Sequence, residues 1–61
     1  MQITLKAARV NAGLTQIEVK RLTGYAQSSL SDWESGKRRL PDEAREKLCK
    51  LYGIDVTQVI E

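Results

Sequence analysis

Short polar side chains and a run of cations lie close together between residues 27 and 39. The polar groups belong to Gln27, Ser28, Ser31 and Asp32, and a cluster of Lys37, Arg38 and Arg39 follows them. The donor and acceptor of a glutamine amide match N7 and N6 of adenine, a serine hydroxyl donates or accepts, and an aspartate only accepts. Cations bind phosphate groups without reading sequence. The set therefore favours noncovalent contacts with a nucleic acid over bond-making chemistry.

The residues that most enzymes depend on are scarce. The sequence contains no histidine and one cysteine, and it has neither a metal-ligand cluster nor a glycine-rich phosphate loop. Cys49 stands beside Leu48 on a helical stretch, which predicts a small core residue and not a nucleophile or ligand. We therefore expect no enzymatic activity, no metal, no other cofactor and no small-molecule ligand.

Length and composition predict one small globular domain. The 61 residues are 41% hydrophobic and 30% charged, which is typical of a folded chain, and we assign residues 1–61 to a single domain. No apolar run approaches the ~18 residues that span a bilayer, and residues 1–6 lack the apolar stretch of a secretory signal. A single cysteine indicates a reducing compartment. The expected location is the cytoplasm, without a membrane partner.

Charge is distributed unevenly along the chain. Residues 1–39 carry seven Lys or Arg against three Asp or Glu, a net charge of +4. Residues 40–61 carry three against five, a net charge of −2. A basic first part and an acidic second part suit a module that presents one face to a polyanion.

The elements that must hold these side chains are predicted to be five helices. Helix 1 covers about residues 5–12, with Thr4 as a possible cap and Gly13 as its end. Helix 2 begins in Thr15-Gln16-Ile17-Glu18, a capping box in which Thr15 and Glu18 satisfy each other's amides. It ends at Gly24, and helix 3 covers about residues 27–35.

The second half of the chain is predicted to contain two more helices and no strand. Helix 4 begins near Pro41, whose missing N–H is harmless in the first turn, and ends at Gly53. A short fifth helix begins at Asp55 and carries the apolar residues Val56, Val59 and Ile60. These three form the candidate surface for a dimer.

Helices 2 and 3 are joined by a three-residue turn, residues 24–26, as in a helix-turn-helix. Three segments, "RVNAGLTQIEV", "TGYAQSSLSDWESGK" and "LCKLYGIDVTQVI", follow in order over nearly the whole chain. The chain resembles the phage repressor/Cro-type family, also called the xenobiotic-response-element family. The resemblance implies an all-α, compact five-helix domain of the lambda-repressor-like type, with the helix-turn-helix over about residues 15–35.

The resemblance also implies roles for individual residues. Gln27, Ser28 and Asp32 on helix 3 would contact bases in the major groove. Gln16 would contact a phosphate and support a recognition residue. Arg9 and Glu34 would form a structural ion pair that joins helix 1 to the end of helix 3. The remaining phosphate contacts would come from Lys37, Arg38 and Arg39.

Some of these assignments have alternatives. Asp32 either accepts from a cytosine N4 amine or repels wrong sites. Trp33 and Tyr25 could stack on bases of a single strand, although Trp33 shares the Leu30 side of helix 3, which favours the core. The family usually has a small residue where Lys20 stands and an aliphatic one where Thr23 stands. Serine or threonine often caps helix 3 where Ala26 stands, and this difference typically costs about 1 kcal/mol.

The function expected from the residues and the resemblance is sequence-specific binding of double-stranded DNA by a transcriptional regulator, in particular a repressor. One such domain makes few base contacts, so we expect a homodimer on two half-sites about 34 Å apart. The alternative is a protein-interaction module of the same fold, antitoxin-like or polymerase-binding, in which DNA binding is secondary.

Overall fold

Helices form most of the structure, a computed structural model that describes residues 2–60. The chain begins with strand β1 (Ile3–Thr4), and four α-helices follow: α1 (Leu5–Asn11), α2 (Gln16–Thr23), α3 (Gln27–Ser35) and α4 (Asp42–Tyr52). A 3₁₀ turn (Val56–Gln58) and strand β2 (Val59–Ile60) complete the order. Strand β2 runs parallel to β1, with Ile3 opposite Val59 and Thr4 opposite Ile60.

The predicted fifth helix is wrong, because the described residues contain four α-helices and this single 3₁₀ turn. A capping box closes the turn: Asp55 accepts from the Thr57 amide at 3.0 Å, and the Asp55 amide donates to Gln58 at 2.9 Å. The chain is already extended at Val59, with φ −88° and ψ 127°. Two consecutive β-branched residues favour this extended backbone, and the strand pairs with β1. The strand pair was not predicted.

The strand pair also changes the candidate dimer surface. Val59 is 5% exposed and belongs to the hydrophobic core, so it is not available to a second copy. Val56 and Ile60 are 36% and 41% exposed. The apolar end of the chain therefore contributes mainly to its own core.

Side chains from three helices meet at the centre of the core. Val19 of α2, Leu30 of α3, and Leu48 and Cys49 of α4 are each fully buried. Burial raises the pKa of the Cys49 thiol, which disfavours the reactive thiolate. The prediction that Cys49 is a core residue is confirmed.

The aromatic residues pack on this core and on each other. Trp33 and Tyr25 are both half-buried against the core, and their rings meet edge to face with centroids 5.2 Å apart. The ammonium group of Lys47 lies 5.4 Å from the Tyr25 ring centroid, a distance that allows a cation–π contact. These contacts favour the packing role of the two rings over base stacking.

Local hydrogen bonds define both ends of α2. The Glu18 amide donates to the Thr15 hydroxyl at 3.1 Å, and the Thr15 amide donates to the Glu18 carboxylate at 3.0 Å, so the predicted capping box is confirmed. Gly24 ends the helix with φ 82°, a left-handed conformation that glycine adopts readily. The Thr23 hydroxyl donates to the Val19 carbonyl at 2.7 Å, which satisfies a polar group at a position usually aliphatic in the family.

Candidate nucleic-acid interface

The first turn of α3 presents polar side chains to solvent. Gln27, Ser28 and Ser31 are exposed, whereas Asp32 is half-buried. Ala26 occupies the N-cap position and makes no side-chain hydrogen bond to the helix, so its side chain does not cap the amides of the first turn. Amides at such a helix end favour an anion. The start of α3 therefore offers both exposed polar side chains and backbone donors that the N-cap side chain does not cover.

The cation cluster, residues 37–39, folds back on the end of α3. The backbone amides of Lys37 and Arg38 donate to the Asp32 carbonyl at 2.9 and 3.3 Å. All three cations are exposed. Cations near a helix C-terminus are stabilised by the helix dipole, which favours the position of the cluster beside the end of α3.

Two of the three cations line the same cavity. Arg38 and Arg39 line a cavity whose apolar wall includes Trp33, Leu40 and Ile60. The cavity lies between the end of α3 and the strand pair. These two arginines therefore lie beside the end of α3, whereas Gln27 and Ser28 lie at its start.

An ion pair fixes α1 against the end of α3. The Arg9 Nε donates to Oε2 of Glu34 at 2.7 Å, and the two side chains are 12% and 5% exposed. Arg9 Nη1 also donates to the Leu14 carbonyl at 2.8 Å. One guanidinium therefore holds both the end of α3 and the connection that leads into α2.

Gln16 connects this ion pair to the first residue of α3. Its Nε2 donates to Oε1 of Glu34 at 3.0 Å. Its Oε1 accepts from Nε2 of Gln27 at 3.4 Å. The amide of Gln16 thus lies between a buried carboxylate and an exposed candidate base-reading residue, and it retains a second N–H for a phosphate.

An open notch beside Gln16 is lined by Lys6, a cation outside the cluster at residues 37–39. Lys6 and Arg9 of α1 line it together with Gln16, and Ser31, Glu34 and Ser35 of α3 complete its walls. The spacing of Lys6 and Arg9, three residues apart on one helix, is the signal that could have indicated their common face. Lys6 is therefore a further candidate for a phosphate contact.

Within residues 2–60, no three side chains of the types that ligate metals are grouped closely enough to hold an ion. No helix of this part of the chain is both long and apolar enough to cross a membrane.

The chain matches a protein-family model and a segment of a curated protein. The family model described as a helix-turn-helix domain matches residues 3–60. A glutamine–fructose-6-phosphate aminotransferase (isomerizing) from Methanocaldococcus jannaschii is 37% identical over 57 residues. That alignment covers 92% of this chain but 5% of the other protein, so the similarity concerns one small segment of the relative. No solved structure matches the chain significantly.

Proposed function

Because the chain belongs to the helix-turn-helix domain family, we propose that it is a sequence-specific double-stranded DNA-binding protein that represses transcription. The observation that carries the proposal is the first turn of α3, where exposed Gln27 and Ser28 lie next to uncapped amides. This turn enters the major groove, and Gln27 reads one base pair through its amide. Occupancy of the operator excludes polymerase, and no chemical step is assigned to the chain.

The remaining proposed contacts are of two kinds: contacts with bases and contacts with phosphates. Ser28 contacts a base edge with little discrimination, and Asp32 accepts from cytosine or disfavours wrong sites. Gln16, Lys37, Arg38 and Arg39 contact phosphates and fix the orientation of the domain. The half-buried position of Asp32, one turn after Ser28, is consistent with a secondary role.

We further propose that the protein acts in the cytoplasm as a homodimer, since one domain offers few base contacts and operators commonly contain two half-sites about 34 Å apart. Val56 and Ile60, exposed beside the strand pair, remain candidates for the surface between copies.

The second candidate function is binding of a protein partner. Ile17 and Leu22 on α2 are 54% and 60% exposed, and large apolar side chains in such positions can belong to a protein interface. Salt distinguishes the two functions, because phosphate contacts weaken steeply with salt whereas an apolar interface does not.

The test is selection of randomised duplex DNA by the purified protein at two salt concentrations, followed by sequencing. The proposal expects an enriched inverted repeat whose binding weakens as salt rises. The Gln27→Ala variant, selected in parallel, should lose enrichment at one base pair of each half-site. Weak salt-sensitive binding without enrichment would reject base reading and direct attention to the protein-partner function.

A further inference from the structure

The buried carboxylate of Glu34 contacts more than its ion-pair partner. Its Oε2 accepts from Arg9 Nε at 2.7 Å, while its Oε1 accepts from Arg9 Nη2 at 3.4 Å and from Gln16 Nε2 at 3.0 Å. The side chain is 5% exposed, so little of it is left for water to contact. Glu34 therefore presents a shielded acceptor to the amide of Gln16.

This contact determines which way the Gln16 amide faces. A carboxylate paired with arginine accepts hydrogen bonds and donates none. If the Gln16 amide turned over, its oxygen would face the Glu34 oxygen at about the same separation, with no proton between the two acceptors. The nitrogen of Gln16 must face Glu34, and its oxygen must face Gln27.

The orientation is passed on to Gln27. Since Gln16 offers it an oxygen, Gln27 directs an N–H toward α2, and its exposed Nε2 lies 3.4 Å from Gln16 Oε1, at the long end of the hydrogen-bond range. One of its two N–H donors is thereby occupied. One N–H and the amide oxygen remain for a base pair.

We infer that Glu34 is a positioning residue that acts through Gln16 on Gln27 and makes the proposed recognition helix prefer adenine to guanine. The inference rests on the proposed function. Adenine requires one donor at N7 and one acceptor at N6, which is the pair that Gln27 retains. Guanine presents acceptors at both N7 and O6, so it requires two donors. A Gln27 amide with one N–H already occupied cannot supply both.

The substitution Glu34→Gln should reverse this arrangement. Arg9 only donates, so the oxygen of Gln at position 34 faces Arg9 and its nitrogen faces Gln16. Gln16 then offers its nitrogen to the oxygen of Gln27. Both N–H groups of Gln27 become available, and the preferred purine should shift from adenine toward guanine.

The experiment measures dissociation constants for the selected duplex and for the duplex that carries G·C in place of A·T at one position. That position is the one at which Gln27→Ala loses its preference. The wild-type protein should prefer adenine by about tenfold, as expected for one bidentate pair. In Glu34→Gln the ratio should fall below one. In Gln16→Met, which leaves the ion pair intact, the ratio should fall to about threefold or less.

A matched control separates orientation from stability. Arg9→Lys weakens the ion pair but keeps the acceptor-only carboxylate facing Gln16, so the purine ratio should remain near the wild-type value although the protein unfolds at a lower temperature. Circular dichroism checks that each variant is folded at the temperature of the binding measurement. If Glu34→Gln does not fold, Gln16→Met decides the question.

The outcomes distinguish the inference from the proposed function. A folded Glu34→Gln or a Gln16→Met protein that keeps the full adenine preference would overturn the role of Glu34 and leave DNA binding intact. A wild-type preference for guanine at the Gln27 position would overturn it as well. Absence of any sequence preference in the wild-type protein would reject the proposed function itself.

Discussion

The guanidinium of Arg9 and the carboxylate of Glu34 join α1 to α3 at 2.7 Å, with 12% and 5% of the two side chains exposed. An exposed pair would contribute about 0–1 kcal/mol. A shielded pair behaves differently, because removal of one partner leaves the other charge without compensation in a poorly solvated site. The largest effect on the free energy of unfolding is therefore expected when only one partner of the pair is removed.

The single variant Arg9→Met should lower the free energy of unfolding by about 3 kcal/mol. The double variant Arg9→Met/Glu34→Met should recover part of this loss, since no unpaired charge remains. Urea denaturation of both variants and of the exposed control Lys6→Met measures the difference. A loss no greater than that of Lys6→Met would show that the pair is solvated in solution.

Ala26 at the start of α3 provides a test of helix capping. Its backbone has the extended conformation of an N-cap, with φ −63° and ψ 145°, but its side chain offers no acceptor. Ala26→Ser should raise the free energy of unfolding by about 1 kcal/mol, because the hydroxyl can accept from an amide of the first turn. Ala12→Ser, at the end of α1, is the control and should give no such gain. Thermal unfolding followed by circular dichroism distinguishes the two variants.

Tyr52 on α4 carries a hydroxyl that is buried without a hydrogen-bond partner among the described residues. Tyr52→Phe removes this unsatisfied group and should stabilise the fold by about 1 kcal/mol at neutral pH. Chemical denaturation at pH 7 gives the difference. Leu51→Ala, a change at the neighbouring half-buried position, should destabilise the fold instead.

The same hydroxyl predicts a dependence on alkaline pH. Burial, and then the nearby Glu34 charge, raise the pKa of Tyr52 from 10.0 to about 12. The unfolded chain thus releases this proton at a lower pH than the folded chain. The stability that the difference in pKa contributes is complete below pH 10 and is lost as pH rises through about 12. Tyr52→Phe should lack this part of the loss. Melting temperatures from pH 8 upward provide the comparison, and equal slopes for both proteins would contradict the prediction.

Gln27→Ala should weaken binding to the preferred duplex by about 1–3 kcal/mol at a single base pair and relax the preference there. The loss should be absent for duplexes already mutated at that base pair, because neither the wild-type protein nor the variant can then make the contact. Gln2→Ala, which removes an exposed glutamine outside the proposed interface, is the matched control. Unchanged affinity and preference in Gln27→Ala would remove this residue from the site.

Arg38→Ala should weaken binding to all duplexes alike, since a phosphate contact reads no sequence. The slope of log affinity against log salt concentration should become shallower by about one. Lys50→Ala on α4 removes an equal charge outside the proposed interface and should leave the slope nearly unchanged. Fluorescence anisotropy titrations at several salt concentrations measure both slopes.

Helices α1 to α4 were predictable because local interactions define their ends. The capping box of Thr15 and Glu18 and the left-handed glycine at position 24 are encoded within a few neighbouring residues. The predicted range of helix 3, residues 27–35, is the one observed. The polar face of this helix followed from the same periodicity.

The sequence by itself thus determined a helix-turn-helix with a polar first turn on its second helix. Only the tertiary structure decided that Val59 lies in a strand opposite Ile3 and is not part of a helix, because strand pairing depends on a partner from the other end of the chain. It also decided the direction of the Gln16 amide, since the Glu34 carboxylate that orients it comes from a different helix, 18 residues away in sequence. Periodicity predicts which face a side chain occupies, but the atom that an amide directs toward its neighbour depends on contacts formed only when the helices pack.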